Sequence, residues 1–294
     1  MRIGINLPNY GALGTVETIT QIGETAEQLG YASVWTTDHI LMPDRLPEPY
    51  GYLLESMTVL SYLAARTSRI ALATSVIVLP QRDPILLAKQ AATLDRLSGG
   101  RLTLGIGVGW VEEEYRFLRA DFHRRGRLAD EYIQAMKELW TADKPSFTGE
   151  EIRFDNAIFS PRPARPGGIP IVVGGSSPAA LTRTARHGDG WHAIALSPTA
   201  ISRTRTELTR LAPNRHLGIS LRISTTIDHG ARHDDAEATT LTGTPNATAD
   251  RMHEYRTAGV DHFVLDFTAT DESSHVAQMR QFATAVLPLV TESH

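Results

Sequence analysis

The chain has 294 residues, of which 41% are hydrophobic and 21% charged, with a formal net charge of -4 and no cysteine. The lack of cysteine excludes disulfides, thiolate metal sites, iron–sulfur clusters and a cysteine nucleophile. Because the charge provides no basic surface for nucleic acid or anionic lipid, we expect a small-molecule partner, no nucleic-acid or membrane partner, and a cytoplasmic protein.

The first hundred residues alternate between strand and helix patterns. Apolar or β-branched runs predict strands over 2–7, 33–36 and 70–79. Between the first two strands, apolar residues at helical spacing begin at Val16 and stop at Gly30. A second helix is predicted over 55–66. A third follows the third strand, with Asp83 as N-cap and Pro84 at the first helical position, and ends near residue 99.

The same alternation continues to the end of the chain. Further strands are predicted over 102–107, 169–173, 190–194, 218–226 and 262–267, with a helix fitting every gap. Strand and helix alternating eight times predict an α/β fold, a single (β/α)8 TIM barrel domain spanning 1–294, with an open doubly wound sheet as the rival. Two proline-rich excursions, 41–54 and 143–168, interrupt the rhythm, and we expect them to cover a face or carry function.

The second predicted strand is followed by Asp38-His39. In a barrel, catalytic groups lie at the C-terminal ends of the strands, and a histidine beside a carboxylate can be held in one tautomer and exchange protons. We therefore interpret His39 as a candidate catalytic residue that Asp38 orients. The alternative is an aspartate that caps a helix with a histidine packed beside it.

A glycine-rich stretch ends the fourth predicted strand, reading GIGVGWVEEEY from Gly105. Glycine at every second position removes side chains from one face, so that a flat ligand or another backbone can approach closely. The spacing lacks the third glycine of the dinucleotide fingerprint, and we expect no helix to begin inside the stretch.

The fifth predicted strand ends in GGSSP, from Gly174 to Pro178. Two glycines free the backbone amides, Ser177 caps the next helix, and the helix dipole adds to a spot suited to a phosphate. A tight strand-to-helix turn with an ordinary N-cap explains the segment equally well.

Other chemistry-bearing segments carry weaker signals. HGDGWH, with His187 and His192, and DHGARHDD, over 228–235, have metal-binding composition, but neither has a clear ligand pattern. We favour solvated or capping roles for these histidines and predict no metal site. A glycosidase pair of carboxylates from the run 112–114 and Asp228 remains open.

Three longer segments point to a family. GYASVWTTDHI, SRIALATSVIVLPQRDPILLAKQAATLDRLSGGRLTLGIGVGWVEEEY and PIVVGGSSPAALTRTARHGDGWH resemble the bacterial luciferase-like superfamily, specifically its branch that depends on the deazaflavin coenzyme F420. GTPNATADRMHEYRTAGVDHFVL is similar to the family's ending. The resemblance implies a barrel with coenzyme F420 lying over the strand ends, with FMN as the alternative cofactor because FMN monooxygenases share the barrel.

The resemblance also implies roles for individual residues. It implies a non-proline cis peptide at Ser75-Val76 behind the coenzyme ring, proton transfer by His39, and Asp38 near the ring. The coenzyme-binding set that it implies is Asp38, Ser75, Val76, Gly107, Val108, Gly109, Gly174, Gly175 and Ser176. Trp110 and Glu113 would wall the substrate side. Sugar-phosphate dehydrogenases of the family carry glutamate directly after the glycine run, where this chain has Trp110, which argues against sugar-phosphate oxidation.

The function expected from the sequence is an F420-dependent oxidoreductase that transfers a hydride between the coenzyme and a small organic substrate. Reduction of an activated C=C, C=N or C=O bond is favoured over alcohol oxidation. The alternatives are a two-component FMN monooxygenase and a coenzyme-binding protein without turnover. A homodimer and a separate reductase that supplies reduced coenzyme are compatible with each enzymatic alternative.

Overall fold

A computed structural model describes residues 1–227 and 239–291 of the chain. The strands are β1 Arg2–Leu7, β2 Ser33–Thr36, β3 Ala71–Thr74, β4 Ile77–Val78, β5 Leu102–Gly107, β6 Phe147–Thr148, β7 Arg153–Phe154, β8 Ile171–Gly174, β9 Gly190–Ile194, β10 Gly218–Ile227, β11 Thr240–Gly243 and β12 His262–Phe267. The α-helices are α1 Val16–Gln28, α2 Ser56–Arg66, α3 Pro84–Leu97, α4 Glu112–Phe117, α5 Arg125–Thr141, α6 Pro178–His187, α7 Pro198–Leu211, α8 Pro245–Ala258, α9 Glu272–Ala285 and α10 Leu287–Thr291.

Eight parallel strands of the described residues close into a barrel. The order around the ring is β1, β2, β3, β5, β8, β9, β10 and β12, and β12 pairs with β1 to complete the closure. The (β/α)8 prediction is therefore confirmed, and the open doubly wound sheet is excluded. None of the helices within the described residues combines the length and the hydropathy needed to cross a membrane.

The main hydrophobic core lies between the barrel and the helices around it. Alternate residues of β1, namely Ile3, Ile5 and Leu7, belong to this core, because successive side chains of a strand point to opposite faces. The inner face of the barrel holds a smaller apolar cluster around Trp35 and Val264, together with polar groups. The polar groups are thereby concentrated along the barrel axis.

Local turn and capping signals confirm the predicted helix boundaries around the barrel. The Asp83 side chain accepts a hydrogen bond from Leu86 N at 2.8 Å, and Pro84 is the first residue of α3. Gly30 follows the end of α1 with a φ of 81°, a conformation that favours glycine. One boundary was wrong, because α4 begins at Glu112, inside the glycine-rich stretch.

The third predicted strand, 70–79, is divided in two in the structure. β3 ends at Thr74, and β4 begins at Ile77 and pairs with β5. The Ser75-Val76 peptide between the two strands is cis, as the family resemblance implied. The division directs this segment across the glycine-rich end of β5.

The alternate glycines of that stretch receive alternate residues of the divided strand. A Cβ added at Gly105 would overlap the carbonyl oxygen of Thr74, and one added at Gly107 would lie 2.7 Å from Val76 Cγ2. A Cβ at Gly109 would lie 2.7 Å from Cγ1 of Val78. Of the two reasons considered for the glycines, close approach of another backbone segment is therefore the one that the structure shows.

The two excursions have different positions. The first approaches the mouth of the barrel, where Leu53 forms an isolated bridge with Tyr10. The second contains the β6–β7 hairpin and contacts α3 and α5, for example through the hydrogen bond from Lys89 Nζ to Ser160 O. The expectation was that each excursion covers a face or carries function. The first lies at the mouth of the barrel, and the second covers part of the outer helices α3 and α5.

We predict that Gly105→Ala destabilises the protein. The added Cβ meets backbone, which cannot rotate away, so the free energy of unfolding should fall by about 1–3 kcal/mol, the usual cost of overpacking. The matched control is Gly218→Ala in β10, where the nearest atom to the added Cβ is Asp261 Oδ2 at 3.7 Å. Chemical denaturation of both variants measures the difference, and equal stability of the two would contradict this account of the glycines.

Candidate active site at the mouth of the barrel

Asp38 forms a buried ion pair behind the mouth. Its two carboxylate oxygens accept hydrogen bonds from Arg82 Nη1 at 2.8 Å and Nη2 at 2.7 Å. A third hydrogen bond comes from the backbone N–H of Val78 at 2.9 Å. Asp38 therefore anchors the divided strand and Arg82, and its carboxylate does not hold His39.

His39 is held by a different carboxylate, that of Glu114 in α4. His39 Nδ1 lies 3.0 Å from Glu114 Oε2. The other oxygen, Oε1, accepts hydrogen bonds from the backbone N–H groups of Ile40 at 2.6 Å and Leu41 at 3.2 Å. The interpretation that Asp38 orients His39 is wrong for this arrangement, because Glu114 occupies that position.

Glu114 is fully buried, yet its contacts favour the charged form. Burial alone would raise its pKa, but the hydrogen bonds from His39 and from the Ile40 N–H outweigh burial and hold the pKa of Glu114 below its usual value. A carboxylate can only accept hydrogen bonds, so His39 Nδ1 carries a hydrogen toward it. The other ring nitrogen, Nε2, is then the atom that can exchange a proton.

Two aromatic rings flank His39. The Tyr50 ring centroid lies 4.9 Å from that of His39, and the Trp110 ring lies edge-on at 6.2 Å. Trp110 is 61% exposed, which leaves its indole surface open at the rim. Its neighbour Glu113 pairs with Arg45 of the first excursion, at 2.6 Å. The two residues expected on the substrate side are therefore at the rim, with Glu113 already paired.

The floor of the mouth is formed by Val76 and the glycines around it. A Cβ at Gly174 would lie 3.3 Å from both Cγ atoms of Val76, so Gly107 and Gly174 meet the same side chain. The carbonyl of Val108 accepts a hydrogen bond from the Tyr115 hydroxyl at 2.6 Å. Val76 and its glycine neighbours therefore form one surface from which few side chains project.

The turn after β8 has the predicted N-cap. Ser177 Oγ accepts a hydrogen bond from Ala180 N at 3.2 Å, and Pro178 is the first residue of α6. Gly175 has a φ of 100°, and Ser176 is exposed. The geometry agrees with both interpretations of the segment, a phosphate-binding turn and an ordinary capped turn.

His192 was assigned a solvated or capping role, and this was wrong. It is fully buried inside the barrel, with Nε2 2.8 Å from Ser75 Oγ and Nδ1 2.8 Å from Ser220 Oγ. Its ring stacks on Trp35 with a centroid distance of 4.8 Å. His192 therefore holds the hydroxyl of Ser75, the residue directly before Val76.

A second polar cluster lies at the ends of β1, β10 and β12, and the sequence interpretation did not identify it. Arg222 and Asp266 form a salt bridge at 2.6 Å, and Asn6 and Tyr10 bond to the same pair. Asn6 and Asp266 lie near the ends of their strands. Arg222 could have been found from the alternation of β10, in which Ser220, Arg222 and Ser224 share the face opposite to Ile219, Leu221 and Ile223.

The segments with metal-binding composition and the carboxylates of the glycosidase alternative lie only partly within the described residues. Among the described residues, no group of three or more histidine, aspartate and glutamate side chains is arranged to hold a metal ion. The segment 228–235, with Asp228 of the glycosidase alternative, lies outside the described residues.

Comparisons with known proteins place the chain among redox enzymes. Residues 1–239 match the family model described as luciferase-like monooxygenase. An F420-dependent glucose-6-phosphate dehydrogenase of Nakamurella multipartita is 34% identical over 185 residues, which cover 59% of this chain and 50% of that protein.

Two solved structures share the fold over nearly the whole chain. The monooxygenase RslO1 from Streptomyces bottropensis superposes with a TM-score of 0.85 at 23% identity, covering 98% of this chain and 99% of that one. An F420-dependent secondary alcohol dehydrogenase, solved with an F420-acetone adduct, superposes with a TM-score of 0.81 at 17% identity and covers 99% of both chains. At these identities, the two structures support the fold alone.

We predict that His192 makes the stability of the protein sensitive to acid. Burial, with smaller effects from Arg222 and His262, lowers its pKa to about 3. A histidine with a lowered folded pKa contributes stability above its unfolded value of about 6.5, and that contribution is lost as the pH falls toward the folded value. In His192→Asn, the decrease in unfolding free energy below pH 6.5 should be shallower, by up to about 1.4 kcal/mol per pH unit.

Urea denaturation across this pH range measures the slope. The control is His123→Asn, since the His123 side chain is 83% exposed and should leave the slope unchanged. Parallel curves for the wild type and His192→Asn would show that His192 takes up a proton in the folded protein as readily as in the unfolded chain.

Proposed function

Because this chain belongs to the luciferase-like monooxygenase family, we propose that it is an F420-dependent oxidoreductase acting on a small organic substrate at the mouth of the barrel. The observation that carries the proposal is the His39–Glu114 pair after β2, at the same end of the barrel as the floor of Val76 and its glycines after β3. A proton-exchanging group and a smooth floor at one barrel mouth suit hydride transfer with a planar coenzyme.

The residues present fit such a coenzyme in two respects. Val76 packs against Gly107 and Gly174, which have no side chains. The resulting floor is smooth, which suits a flat ring. The amides at the start of α6, with the left-handed Gly175 before them, suit a phosphate on the coenzyme tail. We propose that these groups, together with Ser176, hold the ring and the tail.

The protein's share of the chemistry would be orientation and proton handling. When bound, the coenzyme supplies or accepts the hydride. His39 exchanges the accompanying proton through Nε2, while Glu114 accepts the hydrogen bond of Nδ1 and so fixes the orientation of the ring. Tyr50 and Trp110 flank the imidazole. Asp38 accepts hydrogen bonds from Arg82 and from the Val78 N–H. Asp38 therefore contributes to ring binding by holding the strand segment that carries Val76.

The preference for F420 is supported by the Nakamurella relative, which is named as an F420-dependent enzyme. The second candidate is an FMN monooxygenase that receives reduced FMN from a separate reductase. It is favoured by the description of the matching family model as luciferase-like monooxygenase. Both coenzymes have a flat ring and a phosphate, so the fit of the mouth supports either one.

We predict that the protein binds F420 at least about tenfold more tightly than FMN, a difference of about 1.4 kcal/mol. Fluorescence titration with each coenzyme, oxidised and reduced, measures the two dissociation constants. Tighter binding of FMN, accompanied by oxygen consumption when reduced FMN is supplied, would replace the F420 proposal with the monooxygenase.

We predict that His39→Ala retains coenzyme affinity but slows hydride transfer by roughly a hundredfold or more, the usual effect of losing a general acid or base. Single-turnover oxidation of reduced F420 by 2-cyclohexenone, an activated enone, provides the measurement. His123→Ala removes an exposed histidine near the rim and serves as the matched control. An unchanged rate in His39→Ala, with the pH profile of the wild type, would restrict His39 to a packing role.

A further inference from the structure

The polar cluster at the ends of β1, β10 and β12 contains one buried atom without a partner. Asn6 is 1% exposed, and its Oδ1 has no hydrogen-bond partner within the described structure. Its Nδ2 donates to Asp266 Oδ1 at 3.3 Å. This donation fixes the orientation of the amide, because an amide oxygen turned toward Asp266 would be repelled by the carboxylate. The atom left over is therefore an acceptor.

The cation of the cluster is already occupied. Arg222 makes four hydrogen bonds, two to Asp266 Oδ2 at 2.6 and 2.9 Å, one to Thr37 Oγ1 at 3.0 Å and one to the Tyr10 hydroxyl at 2.9 Å. Asp266 balances its charge. The cluster is therefore electrically neutral. Four of the five N–H hydrogens of Arg222 are used in these bonds, and the buried atom left without a partner is the acceptor Asn6 Oδ1.

An aromatic connection joins this cluster to His39. The Tyr10 ring lies edge-on to Tyr50 at a centroid distance of 5.2 Å, and Tyr50 lies 4.9 Å from His39. Tyr10 in turn bonds to Arg222. His39 and the Asn6–Asp266 acceptors are thus two polar ends of one wall, with tyrosine rings between them.

We propose that Asn6 Oδ1 and Asp266 form an acceptor subsite for the substrate. It would bind a hydroxyl or amide N–H on the non-reacting part of a neutral substrate whose reacting group lies at His39. The inference rests on the proposed function insofar as it treats the mouth as the substrate site. A buried acceptor without a partner discriminates strongly, because an analogue that lacks the donor leaves it unpaired.

The same contacts disfavour anionic substrates at this subsite. A phosphate or carboxylate would face Asp266 and the amide oxygen of Asn6, while four of the five N–H hydrogens of Arg222 are directed to Asp266, Thr37 and Tyr10. The substrate class indicated is a neutral carbonyl or enone compound that carries a hydrogen-bond donor. Sugar phosphates lie outside this class.

The test uses the full chain and two small probes that differ by one methyl group. 2-Pyrrolidinone has an amide N–H, and N-methyl-2-pyrrolidinone has none. Ligand-observed NMR titration should show 2-pyrrolidinone binding roughly tenfold or more tightly, the effect of leaving a buried acceptor unpaired. Acetate should bind more weakly than 2-pyrrolidinone. Equal affinities for the two lactams, or tighter binding of acetate, would overturn the proposal.

A variant at Asn6 tests whether the preference for 2-pyrrolidinone over its N-methyl analogue arises at this subsite. Asn6→Leu should remove it, whereas Ser224→Ala, at an exposed position near the end of β10, should retain it. If Asn6→Leu does not fold, as judged by circular dichroism, contacts between 2-pyrrolidinone and the Thr37 methyl group in the wild type decide the location. Retention of the preference in folded Asn6→Leu, or absence of those contacts, would contradict the subsite. The lactam titration uses no coenzyme. A failure of the protein to bind F420 would therefore contradict the proposed function without changing the result of the titration.

Discussion

The candidate site depends on the close approach between the divided third strand and the glycine-rich end of β5. Atoms of the divided strand occupy the positions that side chains of the glycines would take. The pairs are Thr74 with Gly105, Val76 with Gly107, and Val78 with Gly109. This contact allows Val76 to form the floor. It also places the Val78 N–H at Asp38 and Ser75 at His192. Interior packing is dense, so a side chain in this contact would displace several of these groups together.

The barrel itself could be predicted from local patterns. The alternation of apolar runs with helical spacing requires no knowledge of distant contacts, and Asp83-Pro84 and Gly30 act through capping and backbone conformation within a few residues. The break in the third strand was missed by the same reasoning, because residues 70–79 are apolar or β-branched at every position except Ser75, and one serine does not end a strand pattern. The break depends on the distant glycines, which a strand pattern does not include.

The pairings within the site could not be predicted, because each depends on the orientation of an element. Glu114 is 75 residues from His39, and Asp38 is adjacent to it, so proximity in sequence favoured the wrong carboxylate. In α4, Glu112 and Glu113 point to the rim, whereas Glu114 is buried. Composition alone does not distinguish these three positions. His192 was misassigned for the same reason, since its burial follows from the inward side of β9.

One stretch, from Gly105 to Tyr115, accounts for both halves of the site. Its glycines receive the divided strand and so form the floor, and its last turn, α4, buries the carboxylate that holds His39. Gly109 joins the two parts, with a φ of 65° and with Tyr115 packed beside it. The floor and the carboxylate that holds His39 are therefore supplied by a few residues of continuous chain. The glycines admit the neighbouring strand, and Glu114, three residues after Val111, holds the imidazole of His39.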